Sequence, residues 1–154
     1  MAILQEGGWD VCAVVTPAAL AWADTTALRK VTGHAVRSEF RAPDEPEFDP
    51  RGDAVLVAPA TFNTINKCAS GLSDGLALGL MNEAVGTESI PLVIVSWVNA
   101  ALANHPAYEP SLALLRAAGA RVITPEASRP EAFEGALLAA ARWITTTSRA
   151  GRST

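Results

Sequence analysis

The sequence predicts an α/β fold, a Rossmann-like doubly wound parallel sheet, and two observations carry this prediction. Short apolar runs rich in valine alternate along the chain with longer segments of helical period, and each run is continuously apolar. Continuous apolar character indicates strands that are covered on both faces, as in a parallel sheet. An order of strand, helix, strand and helix then implies right-handed crossovers with helices on both faces.

The apolar runs and the periodic segments between them define the predicted elements. Buried strands are predicted over Val11–Val15, Ala54–Ala58, Leu92–Trp97 and Ala120–Ile123, with a short edge strand over Val36–Phe40. Helices are predicted over Ala18–Val31, Phe62–Val85, Tyr108–Ala118 and Glu131–Ile144. Met1–Glu6 is typical of the last turns of a helix that stops at glycine. The sheet is therefore expected to lack the first strand that normally precedes such a helix.

Length and composition indicate one domain. The chain has 154 residues, which is enough for a single hydrophobic core, and we assign the domain to residues 1–145. The polar residues 146–154 are expected to form a disordered tail. The acidic, proline-rich segment Arg41–Gly52 is expected to be an exposed loop, and a lid over a site is the alternative.

Charge and cysteine content exclude several classes of protein. A net charge of −4, without a basic stripe, argues against nucleic-acid binding. No apolar run approaches the ~20 residues of a membrane span, and no signal peptide is recognisable at the start. Cys12 and Cys68 lack the spacing of a zinc site or a disulfide framework, so we expect no metal and a reduced, cytoplasmic protein.

The most informative segment runs from Pro59 to Lys67, where a buried strand ends and a helix begins. Ligands of open α/β sheets bind beyond the carboxyl ends of the strands. Thr61 is suited to cap the helix, whose first N–H groups would then attract a phosphate or a carbonyl-rich ring. The alternative is an ordinary capped turn without a ligand.

The segment APATFNTINKCASGLSDGLA resembles the PASANT motif and the following helix of the flavin-containing cysteine decarboxylase family. That family includes phosphopantothenoylcysteine decarboxylase and the lantibiotic peptidyl-cysteine decarboxylases. Val95–Asn99 and the residues up to Pro106 resemble the substrate motif PxMNxxMW and its following NP. Thr16–Ala19 resembles a second flavin-contacting turn of the family.

The resemblance implies that the chain binds FMN between subunits of a homotrimer, or of a dodecamer built from trimers. The residues that it assigns to the flavin are Thr16, Thr61, Phe62, Asn63, Thr64 and Trp97. Thr16 would lie near the phosphate and Trp97 near the ring, while Asn99 would bind the substrate. That substrate would be a small molecule or peptide with a cysteine-derived carboxylate, which the enzyme decarboxylates oxidatively.

Three departures from the family pattern modify these expectations. The first strand and its phosphate loop have no counterpart, so weak FMN binding is expected. The position of the family's catalytic histidine is occupied by Glu45, and the flap with a reactive cysteine has no match. We therefore expect weak or absent activity on simple substrates. The alternatives are a flavin-binding or regulatory protein without decarboxylase activity, or a relative of the flavin prenyltransferases.

Other residues allow two interpretations each. His34 is expected to be a surface or capping residue, whereas His105, just before Pro106, is a candidate to face the cleft beside Asn99. A glycine stripe on the long predicted helix indicates close packing, either on the sheet or against another subunit; its members are Gly71, Gly75 and Gly79. We expect Cys12 in the core and Cys68 on a helix facing the sheet.

Overall fold

The computed structural model describes residues 1–41, 44, 52–87, 89–125 and 129–151, with side chains as far as 147 in the last helix. The strands within these residues are β1 (Val55–Ala60), β2 (Leu92–Ser96) and β3 (Arg121–Ile123). The α-helices are α1 (Ala2–Glu6), α2 (Thr25–Thr32), α3 (Phe62–Ala69), α4 (Leu76–Gly86), α5 (Ala100–Ala103), α6 (Tyr108–Ala117) and α7 (Pro130–Gly151), and a short 3-10 helix spans Ala19–Ala21.

The three strands form a parallel sheet in the order β1-β2-β3. Every residue of the central strand β2 is buried, which explains why its sequence is continuously apolar up to Ser96. Ile94 pairs with Val57 of β1 on one side and with Val122 of β3 on the other. All three strands therefore end at the same edge of the sheet.

Helices cover both faces of the sheet, which confirms the predicted α/β doubly wound architecture. Leu92 and Ile94 belong to a core with residues of α3, α4 and α6. Val93 and Val95 point to the opposite face and pack with Ala140 and Ile144 of α7. The sheet is thus a central layer between two layers of helices.

The first predicted strand is not part of this sheet. Within the described ranges, Val11–Val15 pairs through an isolated parallel bridge between Val14 and Arg37, in which the Val15 N–H donates to Arg37 O at 2.8 Å. None of the residues 11–15 is buried, because no described strand lies beside them in a ladder. The predicted edge strand Val36–Phe40 is reduced to the same bridge. Cys12, expected in the core, is only half-buried.

The long predicted helix Phe62–Val85 is two helices, α3 and α4, separated by a loop. Gly71 has φ of +72°, a left-handed conformation that ends the helix. The loop is held by Asn82, whose Nδ2 donates to Leu72 O at 2.9 Å and to Ser73 Oγ at 2.8 Å. The glycine stripe therefore does not lie on one helix. A Cβ added at Gly79 would lie only 2.9 Å from Cε1 of the Phe40 ring.

The carboxyl end of the chain continues as helix further than the sequence predicted. Helix α7 extends to Gly151, so residues 146–151 are helical rather than a separate tail, and the boundary of the domain at residue 145 stays a prediction. Most of the predicted acidic loop, Glu45 included, lies outside the described residues. Its role as a lid or a plain loop also stays a prediction.

Candidate functional site

The candidate site lies at the carboxyl edge of the sheet, where β1 and β2 end side by side. Ala60 pairs with Ser96, and the Trp97 N–H donates to Ala60 O at 2.9 Å. Each strand is followed directly by a helix, α3 after β1 and α5 after β2. The starts of both helices therefore meet at the edge where open α/β sheets bind their ligands.

Thr61 caps the start of α3, as the sequence predicted. Its φ and ψ of −78° and 166° are extended, and its Oγ1 accepts the Thr64 N–H at 3.4 Å and lies 3.0 Å from Thr64 Oγ1. Within the described chain, the backbone N–H groups of Phe62 and Asn63 have no hydrogen-bond partner. The first turn of α3 thus offers two N–H donors at the positive end of the helix dipole.

Asn99 caps the start of α5 in the same way. Its Oδ1 accepts the Leu102 N–H at 2.9 Å, while its backbone is extended. The side chain is exposed, and this bond uses only its oxygen. The Nδ2 group therefore retains its donors for another partner.

Aromatic rings pack beside these helix starts. The Phe62 ring contacts His105 edge-on, with centroids 5.2 Å apart at 75°, and lies stacked near Tyr108 at 6.3 Å and 25°. The Tyr108 hydroxyl donates to Ser96 Oγ at 3.0 Å in the buried interior. Ser111 and Asn66 join α6 to α3 through a hydrogen bond of 2.7 Å between Oγ and Oδ1. These contacts fix α6 against the start of α3.

Sequence reasoning missed Ser96 and Tyr108. Two signals were available, because Tyr108 is the only tyrosine of the chain and Ser96 interrupts a run of apolar residues. A buried hydroxyl needs a partner, so a lone serine at the end of an apolar strand indicates a polar contact. Its partner, however, follows only from the packing of α6 on the sheet.

Trp97 and Thr16 lie outside this aromatic cluster. The Trp97 ring packs edge-on against Phe133 of α7, with centroids 5.0 Å apart, so it faces the helix layer on the other side of the sheet. Thr16 lies three residues before the 3-10 helix, and its Oγ1 accepts the Ala19 N–H at 3.3 Å. Among the contacts of the described residues, none joins Thr16 to Thr61 or Asn99. The cluster itself therefore comprises the starts of α3 and α5 with His105 and Tyr108.

The two segments that form this site, Ala60–Asn66 and Ser96–Tyr108, carry no acidic residue and no Lys or Arg. The nearest cation on α3, Lys67, pairs with Asp74 at 2.6 Å. No cluster of His, Cys, Asp or Glu within the described ranges is suited to hold a metal ion. None of the described helices is both long and apolar enough to span a membrane.

A cavity of about 440 Å³ opens at the opposite edge of the sheet. Its lining includes Asp53, Leu92 and Ala120, which lie where the three strands begin, and Trp143 of α7. None of the predicted site residues lines it. We place the candidate site at the carboxyl edge, because the helix starts and their N–H donors are there.

Curated relatives match parts of the chain. A cysteine/cysteine sulfinic acid decarboxylase from an unknown prokaryotic organism is 36% identical over 73 residues, which are 47% of this chain and 19% of that protein. The coenzyme A biosynthesis bifunctional protein CoaBC of Thermococcus kodakarensis is 28% identical over 127 residues, 79% of this chain and 31% of that protein. The chain spans less than a third of either relative.

Solved structures match most of the chain. The FMN-dependent cysteine decarboxylase SpaF gives a TM-score of 0.69 at 23% identity, covering 92% of this chain and 88% of its own. The FMN-dependent cysteine decarboxylase TvaF gives 0.59 at 27% identity, covering 91% and 87%. A variant of EpiD, solved with the substrate peptide DSYTC, gives 0.63 at 20% identity, covering 81% and 71%. These likenesses confirm the Rossmann-like fold.

The family comparison covers almost the whole chain, and it includes both helix starts of the candidate site. The Flavoprotein family model matches residues 2–142. This match agrees with the resemblance that was drawn from the segment around Thr61 and Asn63. The protein is a member of the Flavoprotein family.

Proposed function

We propose that this chain binds FMN at the start of α3 and that the protein acts as a decarboxylase on a cysteine-derived carboxylate. One observation carries the proposal: the capped start of α3, with free N–H groups at Phe62 and Asn63, lies beside the capped start of α5. Membership of the Flavoprotein family and the FMN-dependent decarboxylases among the structural neighbours support it.

The donor set of this edge suits a flavin. Thr61 and Asn63 are exposed and neutral, and the free N–H groups of α3 can donate to a phosphate or to the carbonyl oxygens of a flat ring. In this proposal Thr61, Phe62, Asn63 and Thr64 hold the flavin, as their resemblance to the PASANT motif implies. Thr16 would contact the phosphate, and the backbone at Trp97, whose own ring packs on Phe133, would lie near the flavin ring.

Asn99 is proposed to bind the substrate. Its Oδ1 is engaged by the Leu102 N–H, so its Nδ2 group is the part that donates to a carboxylate or an amide. FMN, when bound, would supply the redox chemistry that oxidises a thiol-bearing substrate and makes its carboxylate a better leaving group. The chain's own contribution is to position the substrate beside the start of α3.

FMN binding is tested by titrating the protein with FMN and following the quenching of flavin fluorescence. We expect saturable quenching in the wild type and its loss in Asn63→Leu, because a branched apolar side chain there removes a donor and obstructs the helix start. Glu83→Leu, at an exposed position on α4, is the matched control and should bind like the wild type. A wild-type protein that does not quench FMN at any concentration contradicts the proposal.

Decarboxylation is tested by mass spectrometry after incubating the FMN-loaded protein with cysteine, the peptide DSYTC or phosphopantothenoylcysteine. Asn99→Asp is the informative variant, since aspartate keeps the cap on α5 but replaces the Nδ2 donors with a negative charge. We expect it to lose turnover while its stability stays near that of the wild type. Turnover that is unchanged in Asn99→Asp would exclude Asn99 as the substrate-binding residue.

Glu45 enters the proposal from the sequence alone. It stands where the family has its catalytic histidine, and we infer weak turnover because an ordinary carboxylate is a poorer base than histidine near neutral pH. Glu45→Gln is expected to abolish this remaining activity if the carboxylate is the base. Strong turnover that persists in Glu45→Gln would refute the inference.

We also propose that the protein assembles as a homotrimer, or as a dodecamer of trimers. Large apolar side chains are exposed on the single chain, with Trp22 at 70% and Phe40 at 56% exposure, and association would cover such surface. Light scattering after size-exclusion chromatography gives the assembled mass. A stable monomer at micromolar concentration contradicts this part of the proposal. The cytoplasmic location stays a prediction.

A further inference from the structure

The two ring nitrogens of His105 have different surroundings. Nδ1 accepts the backbone N–H of Ala107 at 3.1 Å, and the ring is held edge-on against Phe62. Because Nδ1 is an acceptor in this bond, the neutral ring carries its proton on Nε2. Within the part of the chain that the structure describes, Nε2 has no hydrogen-bond partner. His105 is therefore an oriented ring with a free N–H donor.

His105 lies between the end of α5 and the start of α3. Through its ring it contacts Phe62, the first residue of α3, and through the chain it follows α5, which Asn99 caps. The segments Ala60–Asn66 and Ser96–Tyr108 contain no Lys or Arg. His105 is thus the one side chain of these two segments that can carry positive charge.

We propose that His105 is a specificity-determining residue, whose Nε2–H donates a hydrogen bond to the substrate's terminal carboxylate. This inference rests on the proposed function, which places a cysteine-derived carboxylate beside Asn99. A carboxylate that enters this site accepts a charge-assisted bond from an N–H donor that faces it, and the free Nε2–H of His105 is such a donor. The Nδ2 group of Asn99 would bind the same carboxylate or the neighbouring amide.

Two conservative variants separate this role from a structural one. His105→Asn places Oδ1 where Nδ1 is, so the bond to the Ala107 N–H is kept and the distal donor is lost. His105→Gln places an amide N–H near the position of Nε2 and gives up the bond to Ala107. A merely structural histidine should tolerate Asn better than Gln, whereas a substrate-binding one should tolerate Gln better than Asn.

The experiment measures binding of the peptide DSYTC and of its carboxyl-terminal amide to the FMN-loaded protein by calorimetry. Wild type should bind the acid more tightly than the amide. In His105→Asn the affinity for the acid should fall about tenfold, as expected for a lost bond to a charged group, with the amide unaffected. His105→Gln should stay within about threefold of the wild type.

Two controls make the outcomes distinct. Circular dichroism establishes that each variant is folded, and His34→Gln, at the other histidine of the chain, should leave both affinities unchanged. Equal losses for acid and amide, or wild-type behaviour of His105→Asn, would overturn this role while leaving the proposed function intact. If His105→Asn instead lowers the affinity for FMN, His105 contacts the flavin phosphate, and its proposed role toward the substrate is also overturned. Failure of the wild type to bind either peptide with FMN present refutes the proposed substrate class as well as this role.

Discussion

Removing the Tyr108 hydroxyl, which bonds to Ser96 at the end of β2, should test the packing of the candidate site. Tyr108 is 5% exposed and Ser96 2% exposed, and the bond between their hydroxyls is 3.0 Å long. Tyr108→Phe keeps the ring that stacks near Phe62 but leaves Ser96 Oγ buried without this partner. An orphaned buried polar group costs about 1–3 kcal/mol, so we expect the free energy of unfolding to fall by about 2 kcal/mol.

The matched variant is Ser96→Ala, which leaves the Tyr108 hydroxyl without its acceptor and should also destabilise the protein. The double variant removes both hydroxyls, and replacing both partners of a buried bond is close to neutral. We therefore expect the double variant to be more stable than the sum of the two single effects predicts, with a coupling of about 1 kcal/mol or more. Urea denaturation followed by circular dichroism measures all four proteins. Additive effects within about 0.3 kcal/mol would refute the reasoning.

Three further predictions concern other parts of the chain. Thr61→Ala should lower the free energy of unfolding by about 1 kcal/mol in urea denaturation, whereas Thr61→Ser, which keeps the capping oxygen, should not. Gly71→Ala should cost about 1–2 kcal/mol because φ there is +72°, and Gly86→Ala, where a Cβ meets open space, should cost less than half as much. Burial raises the pKa of the Cys68 thiol from 9.0 to about 11, so only the unfolded thiol ionises as the pH first rises above 9. The contribution of this thiol to the free energy of unfolding is therefore fully present below pH 9 and should fall by about 2–3 kcal/mol between pH 9 and 11. Cys68→Ala should remove this fall in urea titrations at each pH.

Local signals in the sequence were enough for the elements that make up the sheet and for the helix starts. The buried run at Leu92–Trp97 became β2, because a strand covered on both faces must be apolar throughout. Thr61 was recognisable as a cap because its hydroxyl follows a strand and precedes a helical period. The order of these elements sufficed to predict a doubly wound sheet, and the motif around Asn63 sufficed to predict the family.

Other features depend on contacts between residues that are distant in the sequence. Val11–Val15 has the composition of a buried strand, but a strand joins a sheet only where a neighbour completes its hydrogen bonds. Among the described residues, its one strand-like pairing is the bridge between Val14 and Arg37. The break after α3 is fixed by Asn82, which reaches back to the loop from the next helix.

The same limit applies to the candidate site itself. Thr61 and Asn99 could be identified from their neighbours in the chain, because a cap bonds within its own first turn. The partners Ser96 and Tyr108, and the contact of His105 with Phe62, arise only when α6 packs on α3 and on the sheet. No local rule of propensity or capping specifies which side chains two helices bring together. The sequence by itself therefore determined the capped helix starts of the candidate site, and the tertiary packing decided which aromatic and hydroxyl groups lie beside them.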